Sequence, residues 1–321
     1  MTEGGCIMHC RYKNQRVRLL CSWAIVQALL LTVCCSLSSA DPLDTWHVRD
    51  LPPQAKARMV EAGVASGNGT FAVVAGGNIF TSQDGVAWTM RPLSTTAPLN
   101  GLSYCKGMFV AAGYEGTILT SPDGVQWTPR TSGTDEGLFG ITYGNGISVV
   151  VGYDGTILTS LDGSTWTKRS SGSKALLRGA TYANGTFVAA GSGGTLLTSP
   201  DGNVWTKRDS GTTEELRGLA YGRNMFVAVG YDGTVLTSPE GATWTTRTST
   251  TSHPLFGLAY GSGSFVAAGG NGTLITSSDG KEWKARTSGT TTGLRGVTYG
   301  NNTFLVVGLI GTLLQSDPMG R

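Results

Sequence analysis

Cysteine, histidine and charge are all scarce in this chain. It holds 6 cysteines and 3 histidines in 321 residues, and charged residues make up 14%. Cys6, Cys10, Cys21, Cys34 and Cys35 all lie before residue 40, so Cys105 stands alone in the rest. A single cysteine excludes an internal disulfide there. With no CxxC pair, and only His47 and His253 downstream, no metal site is expected, and no cofactor either. Low charge combined with 40% hydrophobic residues excludes disorder. Helical periodicity is also missing beyond the leader, except in "PPQAKARMVEAG".

What is present falls into two parts. Residues 1–40 contain Arg11, Lys13, Arg16 and Arg18, then the uncharged apolar run "LLCSWAIVQALLLTVCC", then "SLSSA". A basic region, an apolar run and small residues before Ala40 make the layout of a secretory signal peptide cleaved after Ala40. The chain is therefore expected to be secreted or periplasmic. The alternatives are an uncleaved membrane anchor over 19–38, close to a bilayer span in length, or a lipid-modified Cys34 or Cys35. Removing the leader's four basic residues and Glu3 from 24 and 21 leaves twenty of each sign. The positive net charge therefore belongs to the leader. The remainder, 41–321, has no excess of cations for nucleic acid and is not expected to insert stably in a membrane.

Glycine is abundant, with 48 residues, and it recurs on a period. Ser82, Ser121, Ser160, Ser199, Ser238, Ser277 and Ser316 are spaced by 39 residues at every step. Trp88, Trp127, Trp166, Trp205, Trp244 and Trp283 follow the first six, each opening a W-x-x-R motif. Within one unit, "LRGLAY", "MFVAVG", "GTVLTS" and "TWTTR" read as four short strands joined by "GRN", "YDG" and "PEGA" turns. Four antiparallel strands per repeat near forty residues make a propeller blade. The last unit lacks its tryptophan, and "DTWHVR" after the leader supplies Trp46 and Arg49. Sharing one unit between the two ends suits a closed ring. The expected fold is therefore all-β, a closed seven-bladed propeller whose last blade is completed by the N-terminal strand. The Trp46–Trp88 step is 42 residues, so blade one carries an altered connection.

The repeated S-x-D-G-x-x-W box has the residue types of a catalytic carboxylate or a metal ligand. Repetition argues for a turn lock instead, since a short Asp can bond backbone amides two residues on and tryptophan can fill the space between blades. Together "TSPDGVQWTPR" and "LRGLAYGRNMFVAVG" resemble BNR, or Asp-box, propeller repeats. More narrowly, they resemble the repeats of the photosystem II assembly-factor-like propellers, over residues 42–318. That resemblance implies a propeller fold and non-catalytic binding of partner proteins. Sialidases carry S-x-D-x-G-x-x-W, and here the box is one residue shorter.

If the boxes build the fold, function is expected where the repeats differ. The residue before the first-strand glycine runs Asn100, Phe139, Arg178, Arg217, Phe256, Arg295, with Glu61 the approximate equivalent in blade one. This position lies at the mouth of the central channel. Arg178, Arg217 and Arg295 there can converge on an anion such as a carboxylate, or pair with acids nearby. Phe139 and Phe256, with Tyr153 and Tyr231 from the adjacent hairpins, can stack on a sugar or anchor a peptide. The expected function is a monomeric binding or scaffold module for a protein or an extracellular glycan, with its ligand at the channel mouth. The alternative is a carbohydrate-active enzyme on the same face: a glycoside hydrolase, a sialidase-like enzyme or a polysaccharide lyase. It would draw on Asp135/Glu136, on Glu214/Glu215, or on His253 with Tyr231. Cys105 is read as a drifted turn residue.

Overall fold

The computed structural model describes residues 9–12, 15–18, 41–56, 61–75 and 77–320. It divides into two units, which are described separately. In the first, Met1–Asp41, strands His9–Tyr12 and Gln15–Arg18 pair antiparallel. The expected signal peptide otherwise lies outside the described residues. Among the described residues no helix is long and apolar enough to cross a membrane.

The second unit, Pro42–Arg321, is a ring of seven four-stranded antiparallel sheets. Blade five shows the plan, running outward through Leu216–Gly222, Met225–Gly230, Val235–Ser238 and Thr245–Arg247. The first and second strands meet at a two-residue turn whose members, Arg223 and Asn224, both have positive φ, 51° and 57°. That mirror-image turn matches the twist of the flanking strands, and the same geometry recurs at Asn145–Gly146 and Asn184–Gly185. The second strand, rich in Val and Phe, is buried on both faces because each blade is covered by its two neighbours.

Seven core clusters fill the ring, and each spans two adjacent blades. Trp205, for example, packs against the cluster that Val149, Val151 and Ile157 of the preceding blade form with Phe187 of its own. Its indole Nε1 donates to Gly202 O at 2.9 Å. The box supplies the local framework. Ser199 Oγ donates to Asp201 Oδ1 (3.1 Å) and accepts from Gly202 N (2.8 Å), while Asp201 Oδ1 accepts from Asn203 N and Val204 N. Arg208 Nε then reaches back to Thr198 Oγ1 at 2.8 Å, tying the outermost strand to its neighbour. Blade three differs: Ser148 stands where the other blades bury a phenylalanine, and Trp166 Nε1 has no hydrogen-bond partner.

These bonds leave an electrostatic signature. The amides of Asn203 and Val204, then the neighbouring side chains, hold the Asp201 carboxyl down at about 2, and the amides of Thr165 and Ser164 do the same for Asp162. Asp84, Asp123 and Asp279 shift in the same direction, again chiefly through backbone amides. A carboxyl depressed in the fold stabilises above its unfolded pKa, near 4, and the gain is lost as pH falls through the folded value. The thermal midpoint is therefore expected to fall between about pH 4 and pH 2. An Asp201→Asn variant, measured by circular dichroism, should show a shallower fall. An identical acid profile would remove the turn-lock explanation.

Blade seven closes the circle. Its strands are Leu294–Gly300, Thr303–Gly308, Thr312–Ser316 and, from the other end of the unit, Trp46–Asp50. Trp46 pairs with Ser316 and Asp50 with Thr312. The seam is reinforced by Arg49 Nε on Gln315 Oε1 (2.9 Å) and by His47 Nε2 beside Asp317 Oδ1 (2.6 Å).

Two sequence readings change here. The helical spacing in "PPQAKARMVEAG" becomes a single 3-10 turn, Pro53–Lys56, which buries Leu51 and Ala55 against blades seven and one; 57–60 lie outside the described residues. This turn is the altered connection of blade one. Cys105 is not a turn residue either. It ends the strand Leu99–Cys105, pairs with Met108 and is 1% exposed, and burial pushes its thiol up to about 11. Such a thiol is inert.

Candidate ligand-binding face at the channel mouth

The innermost strands set the geometry of the mouth. Six of them carry a register shift near their start, as between Leu177 and Gly179 in blade four and Leu216 and Gly218 in blade five. A bulge inserts one extra residue, bends the strand and re-aims a side chain. The inserted residues are Asn100, Arg178, Arg217, Phe256 and Arg295, with Phe139 inside the wider shift of blade three. The glycine that follows permits close approach between blades. A Cβ on Gly101 would sit 1.7 Å from Phe139 O, and one on Gly179 would sit 2.5 Å from Arg217 O. The ring therefore grips the main chain of the bulged residue, and its side chain turns inward, buried for Asn100 and Phe139 and half-buried for the others.

These side chains form one connected cluster. Glu61 reaches from blade one to the far side of the ring, where its Oε1 accepts from Arg178 Nη1 (2.9 Å) and Arg217 Nη2 (2.7 Å). Glu215 Oε1 lies 3.3 Å from Arg178 Nε and 3.5 Å from Arg217 Nε, without the alignment of a hydrogen bond. The guanidinium of Arg178 packs over the Phe139 ring at 4.3 Å. Those of Arg217 and Arg295 both pack against Phe256, at 4.8 and 4.1 Å. Tyr153 meets Phe139 edge-on at 5.1 Å, and Tyr231 meets Phe256 at 5.8 Å. Tyr114 completes the first aromatic group, and burial, then the Tyr153 hydroxyl, push its own hydroxyl pKa up.

Within this inner cluster three guanidiniums face the two carboxylates of Glu61 and Glu215, one positive charge in excess. Arg295 is the least compensated of them. Burial lowers its pKa, the Glu61 charge opposes this, and Arg217 adds to it. Its Nε is buried without a hydrogen-bond partner among the described residues.

All seven sequence candidates thus sit at one mouth, in two groups: Phe139, Tyr153 and Arg178, and Phe256, Tyr231, Arg217 and Arg295. Arg178 and Arg217 do not stand open to an incoming anion as convergence alone suggests, because Glu61 already occupies them. Sequence reasoning left Glu61, Glu215 and Tyr114 out of the site. The signal for Glu61 was its place in the variable column; the longer connection of blade one hid its alignment. Two of the groups considered for catalysis have neighbours of their own. His253 is exposed and pairs with Asn271 (3.2 Å), and Glu215 is held by the arginines. Among the described residues, no three His, Cys, Asp or Glu side chains could hold a metal. A groove of about 540 Å³ runs between the boxes of blades one and two, lined by Asp84 and Asp123. Both carboxylates are already engaged by their own turns.

Comparison with known proteins bears on the fold. No family model matches the sequence, and no curated protein matches it. Solved structures do. YCF48 from Cyanidioschyzon merolae superimposes with a TM-score of 0.67 at 16% identity, over 85% of this chain and 98% of that one. YCF48 bound to D1 peptide gives 0.67 at 19% identity, over 88% and 96%. Virginiamycin B lyase from Staphylococcus aureus gives 0.76 at 12% identity, over 85% and 99%. The likeness is one of fold. It includes the assembly-factor propeller that the repeats resemble and an enzyme, so the architecture alone does not choose between binding and catalysis.

Proposed function

We propose that this chain is a non-catalytic propeller that binds a segment of a partner protein at the channel mouth, acting as a secreted or periplasmic monomer once its leader is removed. The observation that carries this reading is the pair of aromatic–arginine stacks, Arg178 on Phe139 and Arg217 with Arg295 on Phe256. Arginine and aromatic side chains held in place by packing are the groups that dominate protein interfaces, because little entropy is lost when they meet a partner. The fold likeness to YCF48 bound to D1 peptide supports a peptide ligand for a propeller of this shape. Catalysis draws no comparable support, since Glu215 lies between two arginines and His253 pairs with Asn271.

The test is selection of random linear peptides on the leaderless chain. Selected peptides are expected to lose at least about tenfold in affinity on Phe256→Ala, the loss that defines an anchor residue. A panel of neutral, uronic and sialylated glycans is run beside it. Glycan turnover, or peptide binding indifferent to Phe256, would refute the proposal.

A further inference from the structure

The hairpins between the second and third strands ring the mouth, and each tip residue takes a left-handed backbone. In blades two to six the tip is Glu115, Asp154, Gly193, Asp232 and Asn271, with φ between 49° and 61°. Polar residues and glycine tolerate this conformation well. Blade seven breaks the pattern with Ile310, at φ 49° and 62% exposed. A β-branched side chain in the left-handed region is a backbone outlier, and its apolar surface faces water. Strain of this kind persists where the surroundings hold it, and it gathers at ligand contacts.

Its neighbours are suggestive. Leu309, the residue before it, packs on the core cluster between blades seven and one. Leu309 Cδ1 and Arg295 Nη1 flank the same glycine: a Cβ on Gly293 would lie 3.5 Å from one and 3.7 Å from the other. The strained apolar tip thus directly follows the residue that shares Gly293 with Arg295, the least compensated cation of the mouth. Arg295 Nε, Arg178 Nε and Glu215 Oε1 are three of the five buried side-chain polar atoms without a hydrogen-bond partner among the described residues. Arg178 Nε and Glu215 Oε1 face each other at 3.3 Å, which leaves Arg295 Nε as the donor of this group open to an acceptor from outside.

We infer that Ile310 and Arg295 form a docking subsite for a partner segment that places an apolar side chain against Ile310 and an acidic side chain on Arg295. This rests on the peptide-binding reading above and specifies its chemistry. Apolar area at the tip and the uncompensated Arg295 guanidinium complement that pairing.

Two variants test it with opposite signs in stability and binding. Ile310→Asn recreates the hairpin tip of blade six, so the melting temperature is expected to rise while selected peptides bind at least about tenfold more weakly. Arg295→Gln is expected to remove the preference of those peptides for an acidic residue, read by binding the same peptides with Glu or Asp replaced by the amide. Peptides that bind Ile310→Asn as well as the parent, or that carry no required acid, overturn the subsite and leave channel-mouth binding through Phe256 standing. A library that yields no binder overturns both.

Discussion

Replacing Glu61 by alanine is expected to destabilise the propeller by about 3 kcal/mol, the cost of stripping one partner from a largely buried ion pair. For a chain of this size that corresponds to a fall in Tm of roughly 6–12 °C. The side chains involved are 16% exposed for Glu61, 15% for Arg178 and 9% for Arg217, so water screens the loss only in part. Without Glu61, Arg178 and Arg217 share only the misaligned Glu215, with Arg295 nearby. The effect should have a chemical signature beyond destabilisation. Added acetate can enter the vacated place and is expected to recover part of the lost Tm in the variant, while the parent stays unchanged. Differential scanning calorimetry of both chains across an acetate series measures this. A Tm within a degree or two of the parent would show that the cross-channel pair contributes nothing to the fold.

The second large effect concerns the seam. A chain beginning at Leu51 lacks Trp46–Asp50, so Thr312–Ser316 becomes a bare edge. Leu313 and Leu314, both fully buried in the ring, are then uncovered, and Leu43 is lost from the adjoining cluster. An unpaired apolar edge recruits other strands, so association into higher oligomers and loss of a cooperative melt are expected. A chain beginning at Asp41 serves as the control. Adding a synthetic peptide of residues 41–51 should restore a monomer by size-exclusion chromatography and return the transition. A truncated chain that stays monomeric and melts within a few degrees of the control would mean that the ring does not depend on its fourth strand in blade seven.

The architecture was legible because its determinants are local and repeated. The 39-residue step, the box and the displaced Trp46 and Arg49 fix blade number and closure without any long-range information. The functional face was legible only as a column of differing residues. That Arg178 stacks on Phe139 follows from adjacent positions in neighbouring blades. That Glu61 grips Arg178 and Arg217 does not, because it depends on a longer connection and on reaching across the ring. The bulges were invisible for a similar reason. One extra residue in the inner strand leaves no mark in composition and emerges only from pairing, as between Leu216↔Gly230 and Gly218↔Val229. Cys105 was misplaced because strand ends and turns share residue types.

The contact between the inner glycine of blades one to six and the carbonyl of the next blade's bulged residue has a wider consequence. The ring holds that residue by an atom every amino acid possesses. In blades two to seven that backbone grip is indifferent to the side chain, and the mouth behaves as a six-letter word, here Asn-Phe-Arg-Arg-Phe-Arg, with Glu61 of blade one as the clasp that ties two of its letters together. A lineage can rewrite the unclasped letters one codon at a time and change partners while the scaffold stays still.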